Sequence, residues 1–313
     1  MAEAPTYSVV IPVFDSRDVV ATTVKDVVAF FEGRGDSFEV VLVNDGSKDG
    51  SWEVIRDLAE ADTRIVAVRF LRNFGQHNAN LAGFAESRGT WIVTMDDDGQ
   101  NPAEEIAHLI EATDGGEHDV VFGRFDSKKA SISRRLGSRL MSSMNQRIFE
   151  KPKDLTVTNF RLLHRDVVQR ILDSGNTYPY VTGQALLYSA SPVNADVRHL
   201  PRAAGQSTYS LRKIISLVMR IAFSYSPAPL QLTAGLGAVV ALSSFLIGVI
   251  YLVHGLVFGS NVEGWTTVIV LLAFLNGVAI AMLSMLGEYL VRTLRQVTDR
   301  RSYLVADKVD GRA

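Results

Sequence analysis

From Ile221 to Val262 the chain contains no Asp, Glu, Lys or Arg, and after Glu263 a second uncharged run extends from Gly264 to Gly287. Each run exceeds the roughly 20 apolar residues that a bilayer-spanning helix requires. Buried core helices are usually shorter and interrupted, so the pattern predicts two transmembrane helices. Arg212, Lys213 and Arg220 precede the first run, Arg292, Arg295, Arg300 and Arg301 follow the second, and the link His254 to Gly264 carries no Lys or Arg. The positive-inside rule then puts both ends in the cytoplasm, as in a multi-pass protein of the inner membrane. The N-terminal MAEAPTYSVV has neither a basic n-region nor an apolar h-region, so the domain ahead of the spans is expected to stay on that side. Between Leu211 and Tyr225, LRKIISLVMRIAFSY mixes apolar residues with Arg and Lys, the pattern of an interfacial amphipathic helix. The expected division is a cytoplasmic domain over residues 1–210, a juxtamembrane helix over 211–228, a transmembrane hairpin over 229–290 and a cytoplasmic tail over 291–313.

The first 125 residues alternate strand and helix. YSVVIPV (Tyr7 to Val13), FEVVLV (Phe38 to Val43), the run Ile65 to Phe70, Trp91 to Met95 and Val120 to Phe122 read as strands. Helical spacing follows the first three, and Pro102 opens a helix after the fourth. This order predicts an α/β domain around a doubly wound, mainly parallel sheet, whose ligands bind beyond the carboxyl ends of the strands. Polar loops fall at those ends: Phe14 to Asp18, Asn44 to Asp49, Arg72 to His77 and Asp96 to Gln100. No glycine-rich dinucleotide or P-loop pattern follows any strand, which argues against those nucleotide folds. The chain has no cysteine and a net charge of −2. Disulfide frameworks and thiolate metal sites are thereby excluded, and no general nucleic-acid signal is present.

WIVTMDDDGQNP, Trp91 to Pro102, runs an apolar strand into three consecutive aspartates. Adjacent carboxylates repel, and folding does not reward the cluster, so a positive group is expected beside it. A divalent cation such as Mg²⁺ or Mn²⁺, held between carboxylates and a diphosphate, meets that demand. If the segment is extended, Asp96 and Asp98 turn to one face and Gln100 continues the alternation.

The stretches SVVIPVFD, VVLVNDGSKDGS, LRNFGQHNANLAGF, MDDDGQNPAEEI, DLTVTNFRLLHRDVV and RAAGQSTYSLRKI resemble, in order, a family 2 glycosyltransferase of the GT-A fold. The likeness is to the polyprenyl-phosphate branch, which includes dolichyl-phosphate mannose synthases, bactoprenol glucosyltransferases and undecaprenyl-phosphate aminoarabinose transferases. It implies that Pro12, Phe14, Asp15, Asp45, Asp96 and Asp97 line the nucleotide pocket and that Asp96, Asp98 and Gln100 hold the metal and diphosphate. It further implies that Arg124, Arg134 and Arg202 bind acceptor or nucleotide phosphates and that Asp154 lies near the reacting sugar. The activity implied is inverting transfer from a nucleotide diphosphate sugar, a UDP-sugar foremost, to a polyprenyl phosphate at the bilayer surface. Relatives of this kind can form homo-oligomers through the membrane region.

The chain departs from the family pattern at Ser16, where many relatives carry Glu, at Thr208, where a charge is missing, and at Gly99, which replaces a common leucine. Arg202, Arg212 or Lys213 are the expected substitutes for the charge lost at Thr208. A processive polysaccharide synthase carries a Gln-x-x-Arg-Trp motif that is lacking here, since no tryptophan follows an arginine. The other alternative is a non-catalytic lipid-phosphate or nucleotide-sugar binding scaffold, against which the retained aspartates argue.

Overall fold

The computed structural model describes residues 4–125, 141–176, 179–200, 219, 221, 223–258, 264–298 and 302–312. Two compact units divide the chain: Met1–Ile214 together with Asp299–Ala313, and Ile215–Thr298.

The first unit is built on one eight-stranded sheet in the order β7-β5-β6-β4-β1-β2-β3-β8. The strands expected from the sequence are present as β1 (Tyr7–Val13), β2 (Phe38–Asn44), β3 (Ile65–Phe70), β4 (Trp91–Thr94) and β5 (Val120–Phe125). Three more complete the sheet: β6 (Arg161–His164), β7 (Pro192–Val197) and β8 (Val305–Asp310). The ladders β1–β2, β1–β4, β2–β3 and β5–β7 are parallel, whereas β4–β6, β5–β6 and β3–β8 are antiparallel. The sheet is mainly parallel, as the strand and helix alternation predicts.

All seven residues of β1 and of β2 are buried, the signature of strands covered by helices on both faces. Helices α1 (Arg17–Arg34), α2 (Ser51–Ala61), α3 (Gln76–Glu86) and α4 (Ile106–Glu111) follow the first four strands in turn. On one face Val9, Ile11 and Val13 join Val20, Val24, Val27 and Phe31 of α1 in the main core. Pro12 is tolerated in this central strand for a geometric reason. Val13 accepts from the Asp45 N–H on the β2 side, so Pro12 faces β4, whose pairing with β1 has ended at Val10. Its missing N–H breaks no ladder bond.

In the second unit, α7 (Ala228–Phe258) and α8 (Trp265–Thr298) each contain a window long and apolar enough to cross a membrane, Ala228–Ile247 and Phe274–Val291. Two helices of the first unit, α5 (Arg165–Asp173) and α6 (Val181–Tyr188), precede them in chain order, between β6 and β7. The two long helices pack on each other at Gly237, where an added Cβ would run into the Met282 side chain, and through Thr233, whose hydroxyl donates to the Met285 sulfur. Most of the expected juxtamembrane helix, with Arg212 and Lys213, lies outside the described residues, as does the departure at Thr208.

Gly89 shows how closely the sheet end is packed. A Cβ there would lie 2.6 Å from the Ser8 N and 2.7 Å from the Tyr7 carbonyl carbon, backbone atoms fixed in the central strand. Gly89→Ala should therefore cost about 1–3 kcal/mol by overpacking, visible as a lowered thermal midpoint of the purified protein.

Candidate active site

Strand order places the site. The chain steps from β1 to β2 to β3 on one side and then inserts β4 on the other, so the loops after β1 and β4 diverge and leave a crevice at their carboxyl ends. Phe14, 49% exposed, stands at its lip. The Phe14 N–H donates to Asp97 Oδ2 at 3.0 Å. Asp15, held at φ 50°, donates its N–H to Ser47 Oγ at 3.0 Å and accepts from the Lys48 N–H at 3.0 Å. The first loop is thus tied to β4 through Asp97 and to the β2–α2 turn through Asp15.

That turn is shaped by Asn44, whose Oδ1 accepts the N–H groups of Gly46 and Ser47, both at 3.1 Å. Gly46 has φ +72°, and a Cβ on it would fall 2.6 Å from Arg72 C and Asn73 N. Only glycine lets the turn lie against the β3–α3 loop in this way. Asp45, 3% exposed, accepts the N–H groups of Phe74 at 2.6 Å and Gly75 at 2.9 Å. Burial pushes its carboxyl up, against the pull of those two donors.

The three aspartates occupy different surroundings. Asp96 Oδ1 accepts from the Gln76 side-chain amide, whose oxygen accepts from Asn159 Nδ2 at 3.3 Å. Burial, then Asp98 and Asp97, pushes its carboxyl up to about 6. Asp97 is committed to the Phe14 N–H and the Ser16 hydroxyl, and burial pushes it up as well. Asp98 Oδ1 accepts the Gln100 N–H at 3.1 Å. The segment bends rather than staying extended, with Gly99 at φ +69°, so a local carboxylate turn replaces the simple alternation of Asp96, Asp98 and Gln100. Gln100 also exchanges bonds with the segment after β7: its side-chain amide donates to the Leu200 carbonyl at 3.1 Å and its carbonyl accepts the Leu200 N–H at 2.9 Å.

Behind the cluster lies a cation that sequence reasoning did not select. Arg161 on β6, paired with Thr94 of β4, is fully buried. Its Nε donates to Thr94 Oγ1 at 3.1 Å and its Nη1 to Thr182 Oγ1 at 2.9 Å, while Nη2 has no partner among the described residues. Burial pushes its pKa down to about 10, leaving it cationic at neutral pH, and it attracts Asp96. The neighbouring His77 is pushed down to about 4 by burial and by Arg161, and is therefore neutral. Gln76 and His77 belong to a loop that the sequence flagged as polar, whereas Arg161 reads as one charge in an apolar stretch and is recognisable only once β6 is paired with β4.

Other residues expected at the site are spread more widely. Arg124, at the end of β5, pairs with Asp196 of β7 through Nε at 2.6 Å and Nη2 at 2.9 Å. Asp154 sits exposed in the loop before β6, where it attracts Lys151. Arg134 and Arg202 lie outside the described residues. His199, whose ring lies tilted at 37° against Phe125 with centroids 4.4 Å apart, feels the charge of Asp98, which adds it to the site's surroundings.

The model of Glycosyl transferase family 2 matches residues 8–172, from β1 through β6 and most of α5. The chain belongs to that family. An undecaprenyl-phosphate 4-deoxy-4-formamido-L-arabinose transferase of Edwardsiella ictaluri is 33% identical over 305 residues, 96% of this chain and 94% of the relative. The enzyme of the same name from Pseudomonas paraeruginosa is 34% identical over 302 residues, covering 95% and 88%. Among solved structures, a glucosyl-3-phosphoglycerate synthase from Mycobacterium tuberculosis, in complex with Mn²⁺, UDP and phosphoglyceric acid, superposes with a TM-score of 0.52 at 15% identity, covering 70% of this chain and 77% of that one. The fold is the GT-A-like fold expected from the motifs, and the protein is a glycosyltransferase.

The donor set fits a divalent cation of the Mg²⁺ or Mn²⁺ kind. Among the described residues no three His, Asp or Glu side chains form a closed metal cage, while Asp96 and Asp98 offer hard oxygen ligands under mutual repulsion. Such ions are commonly held by one or two carboxylates with phosphate oxygens completing the shell. The raised Asp96 carboxyl gives the test its sign. Its folded pKa lies above the unfolded value, so its contribution to stability is complete at low pH and lost as pH rises through about 6. A cation that reverses this loss should raise the thermal midpoint clearly at about pH 7.5 and little at about pH 5, where protons compete for the same oxygens.

Proposed function

We propose that this chain transfers one sugar from a UDP-sugar to undecaprenyl phosphate, giving a lipid-linked sugar phosphate at the cytoplasmic face of the membrane. The observation that carries the reading is the acid cluster at the β1/β4 switch point, set within a family 2 domain whose full-length relatives bear undecaprenyl-phosphate transferase names.

In this reading Phe14, Asp15, Asp45 and Pro12 line the nucleoside side of the crevice. Asp45, fixed by two backbone N–H groups, and Asp15, fixed by Ser47 and Lys48, present carboxylates that need no reorganisation on binding. Asp96, Asp98 and Gln100 would hold the cation. When bound, the cation neutralises charge developing on the departing diphosphate. Arg161 offsets part of the carboxylate repulsion from behind. The acceptor requires no strong base, because a phosphate monoester has its second pKa near 6 and is already largely dianionic. The protein's task at the acceptor is alignment of an anion, assigned to Arg124 with Arg134 and Arg202, and Arg124 must then share its charge between Asp196 and the acceptor phosphate. In this reading Asp154 serves beside the sugar rather than in proton transfer.

Membrane attachment belongs to the same proposal. The chain leaves the catalytic unit at Ile214 and re-enters it at Asp299, so helices α7 and α8, if they cross a bilayer, cross it an even number of times. Together with the basic flanks, this supports cytoplasmic placement of the catalytic unit and both termini.

The test uses the purified full-length protein in detergent with undecaprenyl phosphate, Mn²⁺ and a panel of radiolabelled UDP- and GDP-sugars that includes 4-deoxy-4-formamido-L-arabinose. The expected result is organic-phase label with one UDP-sugar, abolished by EDTA and reduced at least about 100-fold in Asp98→Ala. Label from a GDP-sugar alone would overturn the donor assignment. Nucleotide binding without lipid labelling by any donor would favour the scaffold alternative.

A further inference from the structure

The last eleven described residues, 302–312, belong to the catalytic unit, although the apolar helices separate them from the rest of it. Strand β8 pairs antiparallel with β3 and covers an edge, IVAVRF, that would otherwise expose unpaired apolar backbone. Its own sequence, VADKVD, puts the charges of Asp307, Lys308 and Asp310 on the new edge strand.

Two anchors hold the segment. At its far end the Arg312 guanidinium donates to Asp310 through Nε at 2.7 Å and Nη2 at 2.9 Å. Its Nη1 donates to Glu39 at 2.6 Å and to the Glu86 carbonyl at 2.9 Å. Buried Glu39 also accepts from the Ser8 hydroxyl and the Arg88 N–H, and these donors together outweigh burial and hold its carboxyl below the usual range.

At the near end Tyr303 stacks on Phe70 with centroids 4.9 Å apart and an interplanar angle of 22°. The Leu304 carbonyl accepts the Leu71 N–H at 3.0 Å. The register shifts between Arg69 and Phe70, the kind of irregularity that re-aims a side chain. Phe70 in turn meets Phe74 edge-on at 5.7 Å, and Arg72 covers the Phe74 ring at 5.1 Å. Phe74 and Gly75 donate the two N–H groups that fix Asp45, and the next residue, Gln76, holds Asp96. A continuous run of packed rings and hydrogen bonds therefore leads from Tyr303 to two carboxylates of the site.

We infer that Tyr303 is a positioning residue for the donor site: the segment returning from the second apolar helix sets the β3–α3 loop, and through it Asp45 and Asp96. The inference rests on the UDP-sugar reading of that site. A donor pocket made by the first hundred residues is then completed by the last eleven, and donor affinity depends on how the returning segment is seated.

The experiment takes the full-length protein in detergent and compares wild type, Tyr303→Ala, Tyr303→Phe and Tyr303→Leu. Two readouts are followed: UDP affinity by calorimetry in the presence of Mn²⁺, and amide hydrogen exchange without ligand. Tyr303→Ala should weaken UDP by roughly five- to tenfold, the scale of one lost aromatic pair. The Phe74 and Gly75 amides should exchange at least about tenfold faster. Tyr303→Phe, which keeps the ring on Phe70, should stay nearer to wild type than Tyr303→Ala in both, and Tyr303→Leu gives an apolar side chain without the ring should the Ala variant not fold. Unchanged exchange at Phe74 and Gly75 overturns the inference, as does altered exchange with unaltered UDP affinity. Wild-type protein that binds no UDP sinks the donor reading instead, and the inference with it, a failure recognisable because it precedes any substitution.

Discussion

Like charge at the end of a parallel strand is the constraint around which this catalytic unit is arranged. Three carboxylates follow β4 at the point where strand order reverses, and burial makes their repulsion worse, lifting Asp96 to about 6. Their surroundings answer that repulsion with donors in graded fashion. Asp97 is satisfied by the Phe14 N–H and Ser16, Asp98 by the turn to Gln100, and Asp96 by Gln76 in front and the charge of Arg161 behind. The demand that remains is for a cation, which ties the proposed chemistry to the electrostatics of the fold.

The four loops at the carboxyl edge are interdependent. Asp97 clamps the first loop to the fourth, Asp15 clamps the first to the second, and Asp45 clamps the second to the third. Gln76 joins the third to the fourth, and Leu200 joins the fourth to the segment after β7. Side-chain carboxylates and amides make these links, mostly to backbone groups, so the residues proposed to bind ligand also build the walls. Such a site is preorganised, and an alteration in one loop reaches the others.

The strands β1 to β5 and the helices after the first four are legible in the sequence, because each carries its own periodicity and is bounded by turn residues. Strands β6, β7 and β8 are not. RLLH is four residues long, PVNADV contains a proline, an asparagine and an aspartate, and VADKVD is charged and lies after the apolar helices. These are strands because of what they pair with, and pairing leaves little local signal. The same holds in the site. Asp96, Asp98 and Asp45 stand out by position and by motif, but Arg161 acquires its meaning only by lying opposite Thr94, and Tyr303 only by reaching Phe70 across the sheet edge.

The proposed chemistry requires that Asp96 and Asp98 grip a nucleotide diphosphate through a shared cation. Electron–nuclear double resonance on the protein loaded with Mn²⁺ and UDP measures this directly, because phosphorus bonded to the ion through oxygen gives a resolved ³¹P coupling. A shared grip gives strong ³¹P coupling in the wild-type complex and its loss in Asp98→Asn. Bound UDP with no ³¹P coupling to Mn²⁺, or coupling unchanged in Asp98→Asn, would contradict it.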